Sequence, residues 1–175
     1  IKSYQKAIYF NSKYAHAYIN LGIALRVQGK LDEAINISKK AVLIEPHNPL
    51  AYNNLGALFT EQGKFDEAIK VYKKVILLQP NYAEAYNNLG VALRELGKVD
   101  EAIETYKKAL TLHPDYSNAY NNLSAVLRDK GEFNEAIEAC KKAISLQSDY
   151  AEPYYNLGVL LKDKGDFNES KEACK

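Results

Sequence analysis

Asparagine returns at one place every 34 residues, at Asn20, Asn54, Asn88, Asn122 and Asn156. In the middle of the chain a second asparagine stands just before it, at Asn53, Asn87 and Asn121. A side-chain amide offers a donor and an acceptor together, so a column of amides can pair with the C=O and N–H groups of an extended peptide whatever its side chains. Beside the column run Ile23, Ala57, Val91, Ala125 and Val159, and then Arg26, Thr60, Arg94, Arg128 and Lys162. Amides, shallow apolar patches and spaced cations suit an extended peptide with some acidic character. Glu61, Glu95, Asp129 and Asp163 follow the cations directly and would offset that inclination. A plainer reading stays open, in which the amides solvate a helix face or bond to a neighbouring turn. Against it, asparagine costs about half a kcal/mol relative to alanine inside a helix, so its repetition at one helical position asks for a compensating use.

Other chemistry has little to work with. His16, His47 and His113 fall in no metal-ligand spacing, and neither Cys140 nor Cys174 has a histidine near it in the repeat frame. Each glycine of the helix-to-helix turns stands alone, unlike a phosphate-cradling loop. No cofactor or metal is implied, and a non-enzyme is expected. Basic and acidic residues number 23 and 22, so no overall field favours nucleic acid or an anionic membrane. The lysine pairs 39–40, 73–74, 107–108 and 141–142 are balanced by acids at the start of the same helices and read as a solvated outer face. No apolar run approaches the roughly 20 residues of a membrane span, and the opening residues lack the layout of a secretory signal. A soluble chain, most simply a cytoplasmic one, is the expectation.

The elements that carry these residues follow from the same 34-residue period. Tyr86, Leu89, Gly90 and Leu93 fall at i, i+3, i+4 and i+7, the apolar stripe of a helix predicted from about Ala83 to Leu96. Gly97 then supplies a helix end with positive φ, and Asp100 and Glu101 open a second helix, Val99 to Leu112, against the positive end of its dipole. Pro114 closes the unit, as Pro46 and Pro80 close earlier ones, while Ser148 stands in that place in the fourth. Gly90 and Ala102 are small, so the two helices can approach closely. On a wheel of about 100° per residue, Leu89, Gly90 and Leu93 lie with Tyr86 on the packed face, and Glu84, Asn87, Asn88, Val91, Arg94 and Glu95 lie on the free one.

The expected organisation is a single array over residues 1–175: a partial unit at 1–14, full units at 15–48, 49–82, 83–116 and 117–150, and a partial unit at 151–175. Both ends fall inside a repeat, which points to a piece of a longer array whose open ends favour end-to-end stacking. Cys140 and Cys174 sit one period apart, beyond the roughly 7 Å reach of a disulfide, and read as reduced thiols. The Asn-x-Ser sequons at Asn36, Asn122 and Asn168 fall in predicted helices, where glycosylation is not expected.

Tyr86, Leu89-Gly90, Leu93, Ala102, Tyr106 and Pro114 together resemble the tetratricopeptide repeat, with tyrosine in place of its usual tryptophan in every unit and Ser38 and Cys140 in place of its second aromatic. The resemblance covers essentially the whole chain. It implies an all-α, right-handed superhelical solenoid of antiparallel helix pairs whose first helices line a concave groove. It also implies a scaffold that binds a protein or peptide partner there. The YNNLG segments resemble the repeat region of O-linked N-acetylglucosamine transferases, where asparagine ladders hold ligands, so a substrate-recruiting region of a larger enzyme is the alternative. The clamp that some relatives use for chaperone tails needs Lys and Asn where this chain has Ile19, Asn53 and Asn87, then Ile23, Ala57 and Val91. That partner is not expected.

Overall fold

The computed structural model describes residues 1–165, and among these it contains ten α-helices and no strand. Asn168, Ser170 and Cys174 lie outside the described residues. The helices are α1 (Lys2–Phe10), α2 (Ala15–Val27), α3 (Leu31–Ile44), α4 (Pro49–Glu61), α5 (Phe65–Leu78), α6 (Ala83–Glu95), α7 (Val99–Leu112), α8 (Ser117–Lys130), α9 (Phe133–Leu146) and α10 (Ala151–Lys164). They repeat with the period of the sequence. The chain divides into two compact units, Ile1–Ala92 and the residues from Leu93 onward.

Glycine punctuates every pair. Gly29, Gly63, Gly97, Gly131 and Gly165 have φ between 71° and 91°, the left-handed region that a side chain disfavours, and no other residue type has positive φ among the described residues. Space is not the reason for glycine there, because an added Cβ would meet nothing within 4 Å. Acids open the second helices, with Asp32 and Glu33 on α3, Asp66 and Glu67 on α5, and Asp100 and Glu101 on α7. α9 ends at Leu146, the place equivalent to Leu112 and Leu78, even though Ser148 stands where the other units have proline. At α4 the Asn48 side chain accepts from the N–H groups of Leu50 and Ala51 at 3.0 and 3.3 Å, capping two of the free donors of that helix end.

In the first unit α2 packs on α3, α4 on α5, and α2 also touches α4; in the second α8 packs on α9 and also touches α10. α2 and α8 thus each pack on the helix before them, on their own partner and on the next first helix. Tyr18, Ile19, Ala41 and Ala51 form one buried cluster, with Ile8, Ile37, Val42 and Ile44 packed against it.

The small residues predicted at the helix crossings meet partners of matched size. A Cβ added to Gly56 would lie 2.6 to 2.9 Å from three ring atoms of Tyr72, and one added to Gly22 would lie 2.6 Å from the Ser38 hydroxyl. Where the second unit has Cys140 in place of the ring, Ser124 fits. The Cys140 thiol donates to Ser124 Oγ at 3.1 Å, and Ser124 Oγ donates to the Asn121 carbonyl at 2.7 Å. Cys140 is buried and free, and burial pushes its thiol pKa up. The tyrosines that stand for tryptophan have a local use: Tyr18 and Tyr154 each donate to a backbone carbonyl six residues earlier, of Ser12 and Ser148, at 3.2 Å.

Candidate functional site

The residues singled out by their spacing lie on the first helices of the pairs: Asn20 and Arg26 on α2, Asn53 and Asn54 on α4, Asn87, Asn88, Val91 and Arg94 on α6, Asn121, Asn122 and Arg128 on α8, and Asn156 on α10. Their exposure splits them. Asn20 is exposed and Asn54, Asn88, Asn122 and Asn156 are half-buried, whereas Asn53, Asn87 and Asn121 are 3, 6 and 2 % exposed. The last three were expected on the free face and are inside. The wheel gave each first helix one neighbour; at Asn53 and Asn121 the following first helix comes close enough to bond, through Asn88 and Asn156.

Inside, the amides tie one repeat to the next. Asn88 Nδ2 donates to Asn53 Oδ1 at 3.4 Å, and Asn156 Nδ2 donates to Asn121 Oδ1 at 2.9 Å, each pair 35 residues apart. Asn53 Nδ2 donates in turn to Glu84 Oε1 at 2.9 Å. In the second unit Asn121 Nδ2 donates to the Tyr150 hydroxyl at 3.4 Å, which donates to Glu152 Oε2 at 2.8 Å. Asn87 Nδ2 donates to Asn88 Oδ1 at 3.3 Å. The same spacing accounts for an orphan: Asn54 would reach position 19, but Ile19 has no acceptor, and the buried Asn54 Nδ2 has no partner.

The cations are also engaged. Arg26 Nε lies 2.5 Å from Glu61 Oε2 and Arg94 Nε lies 2.6 Å from Asp129 Oδ2, again 35 residues apart. An Arg128 nitrogen lies 3.9 Å from the other Asp129 oxygen. Of the four acids expected to offset the cations, Glu61 and Asp129 do so by bridging to the arginine of the preceding repeat. This removes the basis for a preference for acidic peptides.

In the first unit these side chains surround a hollow of about 420 Å³. Arg26 of α2 and Ala57, Thr60 and Glu61 of α4 form one side; Glu84, Asn88 and Val91 of α6 form the other, with Tyr72 of α5 at the base. Tyr72 is 1 % exposed, and its hydroxyl lies 3.3 Å from Thr60 Oγ1. Burial, assisted by the Glu84 charge, pushes the Tyr72 pKa up to about 12, so the phenol stays protonated at neutral pH. Of the hollow's lining, Arg26, Asn88 and Val91 were singled out from the sequence as binding residues. Tyr72 and Glu84 were not, and the signal for Glu84 was its place 31 residues after Asn53. Among the described residues no group of three or more His, Cys, Asp or Glu side chains could hold a metal ion, and no helix is long and apolar enough to cross a membrane.

The sequence matches the tetratricopeptide repeat family over residues 13–76, 47–115 and 81–149, and again over 139–172. The chain belongs to that family. Among curated proteins no match was found. Solved structures similar to it include MamA, 32% identical, covering 87% of this chain and 89% of that one with a TM-score of 0.77. Another is YrrB, described as a TPR protein with an unusual peptide-binding site, 22% identical, covering 97% and 88% with a TM-score of 0.73. A third is the APC/C hetero-tetramer Cut9–Hcn1, 21% identical, with a TM-score of 0.88 over 97% of this chain and 34% of that one. The tetratricopeptide architecture is that of a protein-interaction scaffold, and it places the hollow on the face built by the first helices.

Proposed function

We propose that this chain is a non-catalytic scaffold that holds an extended peptide along its first helices, with the half-buried asparagines facing the peptide backbone. The observation that carries the reading is the hollow between α2, α4 and α6, where apolar Ala57 and Val91 lie among groups able to hydrogen-bond. Asn20, Asn54, Asn88, Asn122 and Asn156 remain the ladder of this reading, while the buried Asn53, Asn87 and Asn121 support it from behind. A substrate-recruiting region of a larger enzyme, such as a glycosyltransferase, is the second reading. It rests on the YNNLG segments at 52–56 and 86–90 and uses the same face.

A random-sequence peptide library displayed on phage tests the groove. Peptides enriched on the wild-type chain should lose binding to Ala57→Arg, which fills the hollow, while thermal unfolding of the variant stays within about 1 kcal/mol of wild type. No enrichment, or enriched peptides that bind Ala57→Arg equally well, would sink the proposal.

A further inference from the structure

The hollow has a chemical bias that its general role as a peptide groove does not require. Arg26 is its one cation, and it is paired with Glu61. Glu84 is the second carboxylate, and it accepts from the neutral amide of Asn53; among the described residues it has no cationic partner. The lining therefore carries one unbalanced negative charge.

Thr60 Oγ1 donates to the Gly56 carbonyl at 3.1 Å, so at the 3.3 Å contact between the two hydroxyls it is Tyr72 that donates and Thr60 that accepts. Asn88 uses one amide N–H on Asn53, and its Oδ1 accepts from Asn87. Beyond these contacts the second oxygens of Glu61 and Glu84 are charged acceptors on the lining. Ala57 and Val91 supply apolar wall for an aliphatic stem.

We propose that this hollow is a specificity pocket for a basic side chain, lysine or arginine, of the peptide lying in the groove. Glu84 is the residue that receives the charged head, and Glu61, already held by Arg26, contributes a second acceptor. The proposal rests on the groove reading above. The equivalent positions of the second unit act as an internal control: Arg128 stands where Thr60 does and Cys140 where Tyr72 does, so two cations face two acids and the buried hydroxyl is missing.

The test uses the phage-displayed random peptides with three chains, wild type, Glu84→Gln and Thr60→Arg, each checked for an unchanged unfolding midpoint. Wild type should enrich peptides with lysine or arginine at one fixed position. Replacing that residue by norleucine in a synthetic peptide should weaken binding about tenfold, the scale of one charge-assisted hydrogen bond. Both variants should lose the preference while still binding peptides, and Thr60→Arg does so without touching Glu84. Should Glu84→Gln shift the midpoint, Thr60→Arg alone decides. If peptides bind and Ala57→Arg blocks them, yet no basic residue is enriched or Thr60→Arg leaves the preference intact, the pocket assignment is wrong and the groove stands. If Ala57→Arg blocks nothing, the groove reading itself falls.

Discussion

The groove faces of the two units repeat one another two periods apart. Arg26 and Glu61 correspond to Arg94 and Asp129, and Glu84 to Glu152, but Gly56, Thr60 and Tyr72 correspond to Ser124, Arg128 and Cys140. The framework is common to both: an arginine bridges to the acid 35 residues on, and a buried asparagine accepts from the asparagine 35 residues on. What differs is the base of the groove. In the first unit a glycine makes room for a ring whose hydroxyl reaches Thr60; in the second a serine and a thiol fill the space and bond to each other. Stacking needs only that the two residues have complementary volumes, so this position is free to vary the chemistry that a ligand meets.

The largest effect expected at this position should appear in alkali. Tyr72 has its pKa raised to about 12 by burial, above the 10.0 of an exposed tyrosine. A group whose folded pKa lies above its unfolded one contributes stability that is whole below the unfolded value and is lost as pH climbs to the folded one. Between pH 10 and about 12 the ionising Tyr72 should therefore withdraw about 3 kcal/mol, following from roughly 1.4 kcal/mol per unit. Tyr72→Phe should flatten that part of the stability curve, measured by denaturant unfolding at successive pH values. An unchanged curve would mean that the ring is not buried as described.

Next in size is the volume match. Gly56→Ser copies the second unit into the first and should destabilise by about 1 to 3 kcal/mol, because backbone and ring must separate. Adding Tyr72→Cys removes the clash but leaves part of the ring's volume empty, so the cost of the double variant should fall short of the sum of the two single costs. Costs that simply add would break the comparison between the units.

The contrast also shows what could be read before the fold was known. The bounds of α6 and α7 came out within a residue, because the apolar stripe from Tyr86 to Leu93 and the punctuation by Gly97 and Pro114 act within one unit. Asn53 and Asn121, like Asn87, are buried where the wheel had them free; the first two bond to the next repeat, which a single-helix wheel does not contain. Arg26 and Arg94 lie on first helices, and the pairing of each is a relation across repeats. Tyr72 gave no sign of lining the hollow, since its period marks it only as a packing residue of a second helix.

The smallest expected effect tests the asparagine pairs. Asn156→Val removes the donor from the buried Asn121 Oδ1 and should cost about 1 kcal/mol, the net value of one hydrogen bond. Asn54→Val removes a buried N–H that already lacks a partner, because Ile19 stands where the acceptor would be, so it should be neutral or slightly stabilising. Both substitutions delete an amide at the same helical position and replace it with the same β-branched side chain, so their intrinsic helix cost cancels in the difference. What remains is the partner. Unfolding midpoints that fall equally in the two variants would show that the column is held by its helix position alone and that the 35-residue pairing carries no energy.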